Sequence, residues 1–419
     1  MHSAKQSGSP STVLAGFLHF DLCFTVWVLL GALGVFIVKD MHLNEAQKGL
    51  MVAIPVLSGS IARFPIGILG DRYGAKNVGI GLLAFLFIPL LIGWLLPVNF
   101  PGIIVVGLML GTAGSSFAVS LPLASRWYPP ERQGLVMGLA AAGNIGTVVA
   151  NLSAPSLAKA YGWHNVLGQA MIPLAIILVA FILLAKESPN RPKDLPLSVY
   201  MKALRSADMW WFCIFYSITF GGFVGLGSFL PLFFNKQYGI AAVDAGFLTA
   251  AATFAGSTLR PLGGYLSDKI GGVRMLTVLF TAVALLYAAI SFLLPLSIAS
   301  WLIIVLVGCL GLGNGSMFQL VPLRFTKEIG VATGLIGAIG GLGGFFLPNV
   351  LGSAKQFTGS FTPGLISLAV VSFLCLILLR VLVGLHRDWR FSWNDKAAGK
   401  ELAAVEAAAL EEEIVVSPE

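Results

Sequence analysis

Two arginines sit inside apolar stretches and head the same phrase, 197 positions apart. The first copy reads Arg63-Phe-Pro-Ile-Gly67-Ile-Leu-Gly-Asp71-Arg72-Tyr-Gly74, and the second reads Arg260-Pro-Leu-Gly-Gly264-Tyr-Leu-Ser-Asp268-Lys269-Ile-Gly271. A guanidinium near the middle of a bilayer costs about 2.5–3.5 kcal/mol even on the lenient insertion scale, and it does not escape by deprotonating. Its planar fork of N–H groups matches a flat oxyanion in a way the point charge of lysine does not. Asp21 is the only clear acid within the apolar stretches, and one carboxylate cannot offset two guanidiniums. The chemistry these residues fit is therefore the holding of an anion between two half-chains. Nothing here fits bond making: there is no nucleophile–base pairing, no metal-ligand cluster and no phosphate loop. The run Gly311-Leu-Gly-Asn-Gly315 lies inside an apolar stretch rather than at a strand-to-helix turn, so it is no dinucleotide fingerprint. The expectation is a non-enzyme that needs neither metal nor cofactor.

The elements that position the arginines are membrane spans. Of 419 residues 57% are hydrophobic and only 11% charged, against about 25% in soluble proteins, and mean hydropathy is +0.88. The net charge of +7 does not point to nucleic acid, because the charges are confined to short loops between apolar runs. Cys23, Cys213, Cys309 and Cys375 all lie in apolar runs without paired spacing, which argues for buried small hydrophobes rather than disulfides. The first apolar run is long and lacks a small-residue cleavage site, so no signal peptide is expected.

Apolar runs of about 20 residues, long enough to span, fall near 13–38, 47–70, 77–97, 102–124, 133–158, 165–185, 209–234, 243–267, 273–295, 299–323, 329–354 and 361–385. The expected fold is an all-α membrane protein of twelve transmembrane helices in two pseudo-symmetric six-helix bundles. Residues 1–185 form the first bundle, 186–208 a cytoplasmic linker, 209–387 the second bundle and 388–419 a cytoplasmic tail. With both termini inside, nineteen Lys and Arg lie in cytoplasmic segments and five (Lys39, Lys48, Lys159, Lys236, Lys355) lie outside. Arg63 and Arg260 are the two that belong to no loop. Each is eight residues from the aspartate of its phrase, which puts both about 12 Å inward, near the middle of a hydrocarbon core about 30 Å thick.

The halves repeat beyond the arginine phrase. Gly111…Ser116…Pro122-Leu123 matches Gly311…Ser316…Pro322-Leu323, and Ala141-Ala-Gly143-Asn144-Ile-Gly146 matches Ala338-Ile-Gly340-Gly341-Leu-Gly343. Two parallel halves with a site between them at the midplane is a recognised transporter plan. The pattern Gly67-x-x-x-Asp71-Arg72-x-Gly74-x-Lys76, echoed from Gly264 through Asp268, resembles the loop motif of the major facilitator superfamily. Asp71 can sit near a helix N-terminus, where negative charge is favoured, and Arg72 and Lys76 can form ion pairs that exist in one access state only.

Two glycine-rich stretches sharpen the resemblance to the nitrate/nitrite porters of that superfamily. They are Gly138-Leu-Ala-Ala-Ala-Gly143-Asn144-Ile-Gly146 in span five and Gly334-Leu-Ile-Gly337-Ala-Ile-Gly340-Gly341-Leu-Gly343-Gly344-Phe345-Phe346 in span eleven. Phe117, the pair Tyr216 and Phe220, Asn314-Gly315 with Gln319, and Phe20-Asp21…Val26-Trp27 accompany them. The resemblance implies nitrate or nitrite held in-plane by Arg63 and Arg260, flanked by the faces of Phe117 and Phe220, with Asn144 and Tyr216 donating hydrogen bonds. It implies a multi-pass protein of the inner (plasma) membrane, in contact with lipid and functional as a monomer.

The residue types make sense unaided, since a weakly hydrated planar oxyanion suits arginine forks in a dry aromatic slot. Two guanidiniums facing across an empty cavity repel, so an anion should favour closure around itself. The glycine stretches are expected to permit sliding contacts between the halves. Exchange of nitrate for nitrite needs no titratable group. Proton-coupled uptake does, and Asp21 and His19 are the candidates, although Asp21 fits a structural hydrogen-bonding role better than that of a proton carrier. A porter for formate or a short carboxylate, and a non-transporting anion sensor, remain alternatives on the residues alone.

Overall fold

The computed structural model describes residues 8–128, 136, 139–188, 201, 204–325, 329–386 and 389. Gly138, most of the linker 186–208 and the tail 388–419 apart from Trp389 lie outside the described residues. So do Lys5, Arg132, Arg191, Lys193, Lys202, Lys327, Arg387, Arg390, Lys396 and Lys400 among the cations assigned to the cytoplasm.

Twelve helical stretches follow one another in the expected order, and no strand occurs among the described residues. We number them α1 to α12. Helix α1 is three pieces in line, Pro10–Trp27, Leu29–Ala32 and Gly34–Met41. Next come α2 (Glu45–Tyr73), α3 (Ala75–Leu95) and α4 (Phe100–Ser125, with a 3-10 turn at Thr112–Ser116). Helix α5 passes through a 3-10 turn at Ala142–Ile145 into Gly146–Tyr161, and α6 is Trp163–Leu184. The second half holds α7 (Ala207–Tyr238, with a π-helical turn at Ser217–Gly221), α8 (Ala242–Ile270), α9 (Gly272–Ile290) and α10 (Leu296–Arg324). It ends with α11 (Ile329–Gly341 and Gly343–Thr358) and α12 (Thr362–Leu385).

Nine of these among the described residues are long and apolar enough to cross a membrane by length and composition. The other three are α1, which carries His19 and Asp21 and is broken at Val28 and Leu33; α5, whose regular described part is 16 residues; and α8, whose middle is lined with Thr249, Thr253, Ser257 and Arg260.

The repeat is physical as well as textual. The phrase-ending glycines close equivalent turns: Gly74 has φ +94° between α2 and α3, and Gly271 has φ +92° between α8 and α9. Positive φ is open to glycine without the cost a Cβ would impose. Each arginine helix then packs glycine on glycine against the fourth helix of its half. A Cβ on Gly59 would meet the Gly111 carbonyl oxygen at 2.5 Å, and one on Gly311 would run into the Gly256 backbone. Such contacts between small residues let helices associate where lipid supplies no hydrophobic drive. Across the interface α2 packs on α11, α8 on α5 and α1 on α7, the pairing expected of a pseudo-two-fold arrangement.

At the end of the bundle that carries Glu45 the halves are in close contact. The Glu45 N–H donates to Gln356 Oε1 at 3.0 Å, and the Glu45 carboxylate lies 3.3 Å from Lys236 Nζ and 2.8 Å from Lys48 Nζ. Gly352 and Gly49 make room there, because a Cβ on Gly352 would meet the Glu45 carbonyl oxygen at 2.7 Å. Gly352→Leu should therefore force the halves apart and lower the thermal midpoint of the purified protein, an overpacking cost of about 1–3 kcal/mol. Gly334→Ala, where a Cβ meets nothing within 4 Å, should leave the midpoint near wild type in the same melt.

Candidate anion-binding site

Helices α2 and α8, which carry the arginines, run unbroken for 29 residues each. Several helices of the bundle are irregular: α1 breaks just after Trp27, α4 turns 3-10 at Thr112–Ser116, α5 turns 3-10 at Ala142–Ile145, α7 makes a π turn at Ser217–Gly221, and α11 breaks at Leu342. Irregular backbone at membrane depth is tolerated only where it is buried in protein or lines a cavity, and π turns are frequent at functional sites.

Arg63 is 2% exposed and Arg260 8%. Arg63 donates its Nε–H to the Gly114 carbonyl at 2.9 Å, and its Nη1 donates to the carbonyl of Gly337 on α11. Gly114 belongs to the 3-10 turn of α4. The Arg63 guanidinium also lies 4.8 Å from the Phe220 ring centroid, 5.2 Å from Trp27 and 5.3 Å from Phe117. Arg260 lies 5.5 Å from Phe318. The two arginines and Tyr216 lie within range of one another's electrostatic interaction. Among the described residues neither arginine has an ion pair. Arg63 Nη2, Arg260 Nη1, the Tyr216 hydroxyl and Asn144 Oδ1 are buried without a hydrogen-bond partner.

The rings form a continuous box. Tyr216 and Phe220, four residues apart across the π turn, stack with centroids 5.0 Å apart and planes 2° from parallel. Phe318 stands edge-on to Tyr216 at 5.2 Å and lies 5.9 Å from Phe117. Trp27 closes the other side, 6.4 Å from Phe220, with its indole N–H held by the Pro55 carbonyl at 2.7 Å. The structure thus gathers Arg63, Phe117, Tyr216 and Phe220 in one place, with Arg260 joined through Tyr216 and Phe318. Asn144 is buried on the α5 turn that packs against α8. Sequence reasoning missed Phe318: one phenylalanine among 29 carries no signal of its own.

The two glycine stretches do different work. A Cβ on Gly337 would come within 3.3 Å of Phe117, one on Gly341 within 3.3 Å of Arg63 Nη1, and one on Gly340 within 2.9 Å of Tyr216 Cβ. Those glycines let α11 close over the arginine and the rings. Gly143 and Gly146 instead press against α1 of their own half, where a Cβ on Gly143 would meet the Asp21 nitrogen at 2.8 Å and one on Gly146 would strike the Asp21 carbonyl. A close contact between the halves is thus found at the α11 glycines, while Gly143 and Gly146 of α5 lie against α1 of their own half.

The loop residues sit at the other end of the bundle from Glu45. Asp71 accepts from Arg126 Nη2 at 2.5 Å, a partner on the same half. The Lys76 N–H donates to Glu187 at 2.9 Å, its Nζ donates to the Ile182 carbonyl, and Arg72 lies over Tyr73. Asp268 ends α8 at the matching place. His19 is fully buried between Ser116 Oγ at 2.7 Å, Ser120 Oγ at 3.1 Å and the Gly79 carbonyl at 3.2 Å. Since a carbonyl only accepts, Nε2 carries the proton, and Nδ1 accepts from the serines. Asp21 Oδ1 is buried without a partner, while its backbone carbonyl accepts from Thr25.

The arrangement offers donors without acids inside an aromatic box, which is what a small oxyanion requires and what a cation would avoid. The description Major Facilitator Superfamily matches residues 15–348. The chain is 34% identical to the "Nitrite extrusion protein" of Bacillus subtilis, with 85% of this chain and 90% of that one aligned. It is 34% identical to the "Probable nitrate transporter NarT" of Staphylococcus epidermidis, over 85% and 92% of the two chains. It is 31% identical to the "Probable nitrate/nitrite antiporter NarK1" of Thermus thermophilus, over 90% and 93%. A solved structure of a bacterial homologue of the human lysosomal transporter Spinster superposes with TM-score 0.65 at 18% identity, covering 92% of this chain and 98% of that one, which shows the shared fold. Fold, paired arginines and relatives together make this chain a member of the nitrate/nitrite porter family of the major facilitator superfamily.

Proposed function

We propose that this chain carries nitrate and nitrite across the plasma membrane by alternating access, with the anion held between Arg63 and Arg260. The observation that carries this reading is the pair of buried guanidiniums from equivalent helices of two halves, each with an unpartnered N–H and neither with an ion pair among the described residues. The names of the relatives supply the anion. A planar oxyanion accepts in-plane from both forks while the rings of Phe117 and Phe220 flank its faces, and Tyr216 and Asn144 complete the donor set, the amide turning its nitrogen inward. The relatives' names favour nitrate and nitrite over formate or a short carboxylate as the principal cargo.

Transport follows from charge. An empty site leaves two cations facing each other in a medium that screens poorly, so closure is unfavourable until an anion arrives. Substrate therefore has differential affinity for the occluded state, the condition for a ligand to shift a conformational equilibrium. The moving units are residues 1–185 and 209–387, joined by 186–208. With both termini cytoplasmic, the Glu45 end is the outer seal, and Asp71 and Asp268 mark the cytoplasmic end. A monomer contains the whole site.

Exchange of nitrate for nitrite is the simplest cycle, because the site residues include no group that must gain and lose a proton. His19 is fixed among serines and a carbonyl, a structural role. The Asp21 backbone lies against the α5 turn, and its carboxylate Oδ1 is buried without a partner.

In proteoliposomes loaded with nitrite, wild-type protein should drive uptake of labelled nitrate by counterflow. Arg63→Lys and Arg260→Lys keep the charge but lose the fork, and each should lower the rate at least about tenfold, the equivalent of about 1.4 kcal/mol. Near-normal flux in either variant contradicts the two-arginine site. Imposed pH gradients test the proton question separately: Asp21→Asn should respond to the gradient as wild type does, and a variant that kept flux but lost only that response would make Asp21 a proton carrier.

A further inference from the structure

Each arginine has a serine three residues before it: Ser60-Ile-Ala-Arg63 on α2 and Ser257-Thr-Leu-Arg260 on α8, again 197 positions apart. Both serines are buried, 0% and 7% exposed, and both hydroxyls lack a hydrogen-bond partner. Among the described residues Thr219, Ser228 and Ser267 are the other buried Ser and Thr hydroxyls in that state, and none of them stands one turn before an arginine. Helical hydroxyls here commonly bond back to a carbonyl one turn earlier, as Thr249, Thr253, Thr258 and Ser372 do, and Ser58 bonds to Pro55 two residues before Ser60. Positions three apart share a helix face. Long side chains lean toward the helix N-terminus, so each guanidinium reaches back toward the turn that holds its serine. On α2 the pairing is visible across the interface: a Cβ on Gly341 of the opposite half would contact the Ser60 hydroxyl and would lie 3.3 Å from Arg63 Nη1. On α8, the helix that carries Ser257 packs against the α5 turn bearing Asn144.

We infer that the anion is held by two Ser–Arg units, one from each half, with the hydroxyls of Ser60 and Ser257 as direct donors to it. This rests on the porter reading and adds two neutral donors to its site. The physical case is that a buried hydroxyl with no partner carries a desolvation penalty. At matched places on both arginine helices that penalty is relieved when an oxyanion accepts from the hydroxyl. Neutral donors also suit a site that must release its cargo, since they add directionality without deepening the charge well that two guanidiniums already provide.

The test uses full-length Ser60→Ala and Ser257→Ala proteins, with Ser58→Ala as control, in nitrite-loaded proteoliposomes and in detergent melts. A hydrogen bond to a charged group is worth enough that each of the first two variants should raise the half-saturating nitrate concentration about tenfold or more. The anion-free thermal midpoints should stay at or above wild type, because each substitution removes an unsatisfied polar group. Ser58→Ala should keep wild-type half-saturation. Wild-type half-saturation in either Ser60→Ala or Ser257→Ala overturns the inference while leaving the two-arginine site standing. A weaker apparent affinity accompanied by an equal fall in anion-free stability also overturns it, by making the serines structural. Absence of nitrate counterflow in wild type overturns the porter reading itself, and the inference with it.

Discussion

Two buried, permanently charged guanidiniums, with no ion pair among the described residues, are the constraint around which the rest of this structure is arranged. Charges in such surroundings are costly unless solvated, paired or hydrogen-bonded. Arg63 is partly satisfied by carbonyls of Gly114 and Gly337, which neutralise nothing but orient the fork, and by the faces of Phe220, Trp27 and Phe117. Arg260 has less: one ring, the neighbourhood of Tyr216, and a buried N–H without a partner. The two halves are thus similar in layout and unequal in how far each arginine is satisfied without an anion.

The irregular turns follow from the same constraint. A helix carbonyl keeps a second lone pair beside its ladder bond, and Pro55 and Gly337 use it to accept from Trp27 and Arg63. The 3-10 turn of α4 presents Gly114, and the π turn of α7 sets Tyr216 and Phe220 face to face. The glycines of α11 let a backbone approach Arg63 where any Cβ would collide with a ring, a hydroxyl or the guanidinium itself. Meanwhile α2 and α8 stay continuous and anchor on α4 and α10 through paired glycines. Rigid arginine helices combined with locally loosened partners give a site that is fixed in charge and adjustable in shape, which is what rocking of two halves around a small ion requires.

Much of this was legible in the chain because the repeat is written into it. Composition gave the membrane class, apolar runs the helix order, and the matched phrases the two arginines and the turn glycines Gly74 and Gly271. The rings of Phe117 and Phe220 came with the family resemblance; no spacing rule singles out Phe318, whose role depends on how α10 rotates against α7. The local 3-10 and π turns were not readable either, since they are set by packing rather than by the propensities of residues such as Thr112 or Ser217. Ser60 and Ser257 are the instructive omission. They stand at the same offset as the arginines, three positions upstream, and a repeat traced from the arginine onward passes them by. The glycines of α5 were read correctly as close contacts but given the wrong neighbour, because sequence spacing reports that a backbone approaches and not which one.

The central claim is that a nitrate or nitrite ion completes the Arg63–Arg260 pair, and it is tested most directly by melting the detergent-purified protein across a nitrate titration at constant ionic strength. A ligand that binds the folded state at one hundred times its dissociation constant stabilises by about 2.7 kcal/mol. The account predicts a saturable rise in midpoint with nitrate and with nitrite, little rise with sulfate, and no nitrate-dependent rise in Arg260→Gln. An equal rise in wild type and Arg260→Gln, or none in wild type, would contradict it.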